Sequence, residues 1–206
     1  MNVSLNNIGK RYNFEWIFRK VNHQFVTGEH TVILGSNGSG KSTLLQVIAG
    51  NLTHSEGLVE FKVQSSTLDP DDHYKHLSIA APYLELYEEF TLTESIDFQS
   101  KFKSFRNGLT TQQIIEITGL EKSNGKQLKY FSSGMKQRVR LALAVLADTP
   151  LLLLDEPTSN LDKKAIDWYQ QLVTSNSSDR LILVASNQQE QEYPFCRKQI
   201  NIEEYK

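Results

Sequence analysis

The chain has 206 residues, with 22 Lys and Arg against 24 Asp and Glu for a formal net charge of −2. That length suits one domain, and the charge balance excludes a nucleic-acid binder working through bulk positive charge. The single cysteine, Cys196, excludes an internal disulfide and a cysteine-rich zinc site.

In chain order, the opening Met1–Asn6 has no charged segment followed by an apolar core, so no secretory signal is expected there. Thr31–Leu34 is a short β-branched run ending at Gly35, which predicts a buried strand feeding a loop. Ser42–Ala49 reads as a helix, apolar at Leu44, Leu45, Val47 and Ile48, with Gly50 as its stop. Leu58–Val63 alternates, with Val59, Phe61 and Val63 on one side, and predicts a half-buried antiparallel strand. Thr91–Phe105 reads as a helix capped by Thr91 or Thr93, and Gln112–Thr118 as a short helix ended by Gly119. Met135, Val139, Ala142, Leu143 and Leu146 share one helix face; Lys136, Arg138 and Arg140 are expected on a solvated one. Leu151–Leu154 and Leu181–Ala185 are continuous apolar runs, as in a parallel sheet covered on both faces. Strands alternating with helices predict an α/β fold. The longest apolar run, Leu141–Ala147, is far short of the ~18 residues that span a bilayer, so a membrane role would pass through a partner.

The sharpest local pattern is Gly35-Ser36-Asn37-Gly38-Ser39-Gly40-Lys41-Ser42, which fits G-x-x-x-x-G-K-[ST] between a predicted strand and a predicted helix. Glycines let successive N–H groups converge on phosphate oxygens. Lys41 is placed to neutralise the β/γ-phosphates and Ser42 to put its hydroxyl on Mg²⁺. The helix that follows adds a positive end. Further on, Leu151–Leu154 runs into Asp155, Glu156 and Pro157. By itself this is also the pattern of a buried strand with a charged turn. Beside a phosphate loop, Asp155 at the strand's end can reach the Mg²⁺ shell. Glu156, pointing the other way, can act as general base toward water.

These pieces resemble the ATP-binding cassette family, the ATPase subunits of ABC transporters, and the resemblance covers nearly the whole chain. Tyr12 matches the aromatic that stacks on adenine, and Gly35–Thr43 the phosphate loop. Phe131-Ser132-Ser133-Gly134-Met135-Lys136-Gln137-Arg138 resembles the family's signature stretch. Leu151–Glu156 is the carboxylate strand, and Ser159-Asn160-Leu161-Asp162 the loop along the dimer interface. The resemblance implies a P-loop NTPase core with a mostly parallel sheet, an antiparallel β portion near 1–33 and 57–65, and a small helical signature lobe. It implies a single domain over 1–206, with a core lobe of 1–81 and 147–206 and a helical lobe of 82–146.

It further implies that ATP, with Mg²⁺, is gripped by Tyr12, by Gly35, Ser36, Asn37, Gly38, Ser39, Gly40, Lys41, Ser42 and Thr43, and by Asp162. Ser132, Ser133 and Gly134 would meet the opposite subunit's nucleotide in a head-to-tail homodimer or cassette heterodimer. A Ser-Ser-Gly helix start also suits plain N-capping. Four positions depart from the family. Tyr83 stands where a Mg²⁺-contacting Gln is usual, and Asn187 where a γ-phosphate-contacting His is usual, with Gln188 one residue on. Ser133 replaces the first signature Gly, and Met135 the Gln. The metal set expected is therefore Ser42, Asp155 and Tyr83, and the catalytic set Glu156, Lys41 and Asn187, with slow hydrolysis. The implied partner is an integral membrane transporter subunit met near Tyr83–Glu89, with the chain on the cytoplasmic face of the membrane. The rival readings are a cassette scaffold with little hydrolysis, and a kinase, which needs neither Ser132–Arg138 nor Ser159–Asp162.

Overall fold

Hydrogen-bonding direction divides the strands into two sheets. In chain order the strands are β1 (Asn2–Tyr12), β2 (Glu15–Val26), β3 (Thr31–Leu34), β4 (Glu56–Val63), β5 (Ser66–Thr67), β6 (Leu77–Ala80), β7 (Leu151–Asp155), β8 (Leu181–Ser186) and β9 (Lys198–Asn201). The helices are α1 (Lys41–Ile48), α2 (Leu92–Ser100), α3 (Thr111–Thr118), α4 (Ser133–Leu146) and α5 (Lys163–Ser175). This computed structural model describes residues 1–63 and 66–206; residues 64 and 65, part of the expected antiparallel portion, lie outside the described residues. Strands β2-β1-β4-β5 form an antiparallel sheet, and β6-β7-β8-β3-β9 a parallel one. The architecture is α/β, as the alternation of strands and helices predicts.

The parallel sheet is buried on both faces, and its side chains alternate between two cores. Leu151, Leu153, Leu181, Leu183, Ala185 and Ile33 point into a cluster shared with α1 and the antiparallel sheet. Leu152, Leu154, Ile182, Val184 and Val32 point into a second cluster, shared with α2–α5. Each apolar run thus serves both sides, which is why it shows no polar interruption.

Helix boundaries follow their caps. At α2 the Thr91 side chain accepts the Glu94 N–H while the Glu94 carboxylate accepts the Thr91 N–H at 2.7 Å, a reciprocal capping box. The helix stops at Ser100, short of the expected Phe105. Phe105 is instead buried in a bridge to Ala147, and the Asp148 N–H donates to Ser104 O at 2.9 Å. Helix α4 departs from expectation on its polar side. Lys136 pairs with Glu88, the Arg138 guanidinium lies 4.8 Å from the Trp168 ring centroid, and Arg140 Nε donates to Leu84 O at 2.8 Å. None of the three is freely solvated, because α5 and the 82–89 segment pack over that face.

Candidate functional site

Four strands of the parallel sheet end on the same edge. In register, Leu34 of β3 lies beside Ser186 of β8, and Ala185 of β8 beside Asp155 of β7. Ala80 of β6 lies beside Leu154 of β7. The segments leaving those ends are the phosphate loop, Asn187, Glu156 and Ala81–Tyr83. The edge beyond the carboxyl ends of parallel strands is where α/β sheets bind ligands.

The loop leaves β3 at Gly35 and enters α1 at Lys41. Gly40 is the helix N-cap at φ 107°, and a Cβ there would sit 2.7 Å from Ile17 Cγ2, so both conformation and space demand glycine. Lys41 is 4 % exposed; its Nζ donates to Gly35 O at 3.0 Å and to Ser36 O at 2.8 Å, folded across the loop. The Asn187 amide donates to Asn37 Oδ1 at 3.3 Å, so Asn187, not the exposed Gln188, is the residue on the loop. Ser36 is already engaged: its N–H and hydroxyl donate to Glu203 Oε1 at 2.9 and 2.5 Å. Those bonds hold the Glu203 carboxyl below the usual range.

Asp155 closes β7 with 1 % exposure, and neither carboxylate oxygen has a well-formed hydrogen-bond partner. Burial pushes its pKa up to about 6; the Ser42 hydroxyl opposes this, the Glu156 charge adds to it, and Lys41 opposes it. A buried, unpaired carboxylate beside a hydroxyl is a hard oxygen donor set that fits Mg²⁺. Tyr83 lies within electrostatic reach of Asp155; burial first and that charge second keep its phenol protonated, with the Gln46 side chain opposing them. Glu156 follows in a left-handed backbone, φ 43°. No group of three or more His, Cys, Asp or Glu is placed to hold a metal ion among the described residues.

A second cleft, of about 410 Å³, brings Ser132, Ser133 and Gly134 together with Asn160 and Asp162. Ser132 Oγ caps α4 by accepting the Met135 N–H at 3.2 Å. A Cβ on Gly134 would meet Asn160 O at 2.9 Å, so the 159–162 loop sits directly on the helix start. The Asp162 carboxylate accepts the Ala165 N–H at 2.8 Å as the cap of α5. Tyr12 ends β1 half exposed, with Lys10 Nζ 4.9 Å from its ring centroid.

The sequence profile described as ABC transporter matches residues 18–159. The chain belongs to the ABC transporter family. This cassette is 30% identical over 194 residues to the cytochrome c biogenesis ATP-binding export protein CcmA of Agrobacterium fabrum, covering 92% of this chain and 90% of that one. It is 28% identical over 187 residues to the uncharacterized ABC transporter ATP-binding protein YcbN of Bacillus subtilis, covering 90% of this chain but only 61% of the relative's length. Among solved structures, it superposes on the ATP-binding cassette MJ0796, a dimer in a post-hydrolysis state with ADP and Pi, at TM-score 0.81. That match has 25% identity and covers 97% of this chain and 94% of that one.

Several residues of the cassette's site lay outside the sequence reading. Gln46 stands four residues after Ser42, a spacing that puts both on one face of α1. Gln137, named only within the signature stretch and grouped with the polar side of its helix, is instead buried, and its amide donates to Pro157 O at 3.0 Å. Glu192 accepts from Thr158, and Glu203 from Ser36. The last two come from distant segments and left no sequence signal.

Proposed function

We propose that this chain is the ATP-binding subunit of an ABC transporter: it binds MgATP, closes head to tail on a second cassette around two ATP, and hydrolyses ATP to drive membrane-spanning partner subunits. One observation carries the reading. A phosphate loop with a buried lysine opens beside a buried carboxylate, Asp155, which has only the nearby Ser42 hydroxyl and no well-formed hydrogen bond on either oxygen. A site of that kind is complete only when phosphate and a divalent cation enter it.

Lys41 exchanges Gly35 O and Ser36 O for phosphoryl oxygens, and the free N–H groups at the start of α1 face the same charge. Asp155 and Ser42 would hold Mg²⁺, and the ion would supply positive charge to the phosphate oxygens. Tyr12 offers a half-exposed ring to adenine. Glu156 accepts a proton from the attacking water. Ser132, Ser133 and Gly134, at the start of a 14-residue helix, face the nucleotide of the opposite cassette. Tyr83 presents a protonated phenol where an amide is usual, and Asn187 a neutral amide where an imidazole is usual. A protonated phenol is a poor Mg²⁺ ligand, and a neutral amide cannot become cationic, so hydrolysis by the isolated chain is slow.

Coupling to the membrane partner runs through the 82–146 lobe. A cavity of about 300 Å³ opens there between Leu84, Leu86, Tyr87, Phe90, Phe98 and Phe102. Tyr87 and Phe102 are 61% and 66% exposed, and exposed aromatics in one cluster suit a docking surface. No helix among the described residues is long and apolar enough to cross a membrane, in keeping with a subunit held at the cytoplasmic face by such partners.

Calorimetry with ATP and Mg²⁺, steady-state turnover, and light scattering of a Glu156→Gln variant test this. Binding that vanishes in Lys41→Ala, slow turnover that vanishes in Glu156→Gln, and ATP-driven dimers of Glu156→Gln are expected. No heat for ATP, or a Lys41→Ala variant that binds like wild type, refutes the site. Fast wild-type turnover refutes the slow-hydrolysis part alone.

A further inference from the structure

Glu156 has φ 43°, a conformation that costs any residue with a side chain and persists only where its surroundings over-determine it. Its own N–H donates to Ala185 O at 3.0 Å, tying it to β8. The next two residues are held by buried side chains from two different elements. From α4, Gln137 Nε2 donates to Pro157 O at 3.0 Å. From the short 3-10 turn Glu190–Glu192, Glu192 Oε1 accepts the Thr158 N–H at 3.3 Å and the Thr158 hydroxyl at 2.9 Å. Gln137 is 1 % exposed and Glu192 is 2 % exposed. The Tyr169 hydroxyl donates to Glu192 O at 2.6 Å, which anchors the second grip to α5.

Gln137 also faces the other way. Its Oε1 accepts from Arg140 Nη1 at 3.2 Å, and Arg140 Nε donates to Leu84 O at 2.8 Å, next to Tyr83. An unbroken path therefore runs from the Tyr83 segment through one amide to the turn behind Glu156. Apolar side chains at 137 and 192 would avoid the desolvation that these two polar groups suffer. Packing alone gives no reason for either.

We propose that Gln137 and Glu192 are positioning residues that together hold the Glu156–Thr158 backbone in its left-handed turn, and that Gln137, through Arg140, ties this turn to the segment carrying Tyr83. The inference rests on the reading of Glu156 as general base. Neither residue touches the phosphate loop, and only the charge of Glu192 is felt at Asp155, so the rate is expected to respond far more than ATP binding.

The test measures kcat, KM and Mg²⁺-ATP affinity for Gln137→Glu, Arg140→Met, their double variant, Glu192→Leu and Glu192→Gln, with thermal melts to establish folding. Gln137→Glu keeps the acceptor for Arg140 and loses the donor to Pro157. Glu192→Gln keeps an oxygen that can accept from Thr158 in a side chain of the same shape. Gln137→Glu and Glu192→Leu are expected to lose about ten- to a hundredfold in kcat with KM within about twofold, because misplacing a base by about 1 Å costs that much. Glu192→Gln is expected to keep most of the rate. The double variant is expected to fall no further than Gln137→Glu alone, as for residues acting in series. Unchanged kcat in both Gln137→Glu and Glu192→Leu overturns the proposal, as does a loss carried by KM, or Glu192→Gln failing as badly as Glu192→Leu. Additive losses in the double variant overturn the tie to Tyr83. If Glu156→Gln itself turns over like wild type, it is the assignment of the base that fails. Should any apolar variant fail to fold, the Gln137→Glu and Glu192→Gln arms decide.

Discussion

Removing one oxygen charge from the bottom of the nucleotide site should make the nucleotide-free protein more stable. Asp155 is buried, neither of its oxygens has a well-formed hydrogen bond, and its pKa stands at about 6 against the usual 3.8, chiefly because of burial. A shift of about two units corresponds to about 3 kcal/mol against the ionised folded state. The sign follows from linkage. A carboxyl raised in the folded state costs nothing below its unfolded value, where both states hold the proton, and the full penalty appears once pH has risen past about 6. Asparagine carries no charge, so Asp155→Asn should gain up to about 3 kcal/mol near pH 8 and almost nothing near pH 4. For a chain of this length about 1 kcal/mol moves the melting temperature by about 2–4 °C, which bounds the rise at about 6–12 °C. Thermal melts at a series of pH values, without nucleotide or divalent cation, read this directly. Adding MgATP should then raise the wild-type melting temperature and leave the variant's nearly unmoved. A variant that melts below wild type near pH 8, or a difference that does not change with pH, would refute the reasoning.

Three further substitutions test other parts of the site. Gly134→Ala puts a Cβ 2.9 Å from Asn160 O, so the 159–162 loop must move. Overpacking of about 1–3 kcal/mol is partly offset by about 1 kcal/mol of helix propensity, and light scattering should show ATP-driven dimers lost while the monomer still binds ATP. Glu203→Gln should speed hydrogen exchange at the Ser36 amide. Because the folded pKa of Glu203 is depressed, the wild-type protection should be full above the usual carboxylate value and fade as pH falls through the depressed one, and the variant should lack that dependence. Tyr83→Gln restores an amide near Asp155 and should raise basal ATP turnover severalfold; an unchanged rate would remove Tyr83 from the proposed account of slow hydrolysis.

The phosphate loop was legible because its physics is local: eight contiguous residues carry the glycines, the amine and the hydroxyl. Strands β7 and β8 were legible because burial on both faces forbids polar residues. Strands β1 and β2 were expected only through resemblance, and the reason is in their register. Val3 and Leu5 are two apart, but Ile8 follows after three, across a bulge at which Asn7 has φ 55°. Lys20, at φ 58°, likewise lies between Phe18 and Val21 in β2, so an alternation rule sees no strand. In the site, Glu203 reaches Ser36 from 167 residues away, and no spacing rule spans such a separation. The polar side of α4 was misread for a related cause. Arginines and lysines are ordinarily solvated, and only the placement of Glu88, Leu84 and Trp168 from other elements reveals their partners.

The apolar cluster beneath β3, β7 and β8 runs without a seam into the helices α2, α3 and α4. Those helices own no private interior. Swinging them away as a block would tear leucines such as Leu152 and Leu154 out of a close-packed medium. A block movement of these helices would therefore be resisted by the surface it exposed, at about 25 cal/mol for each Å² of apolar area uncovered.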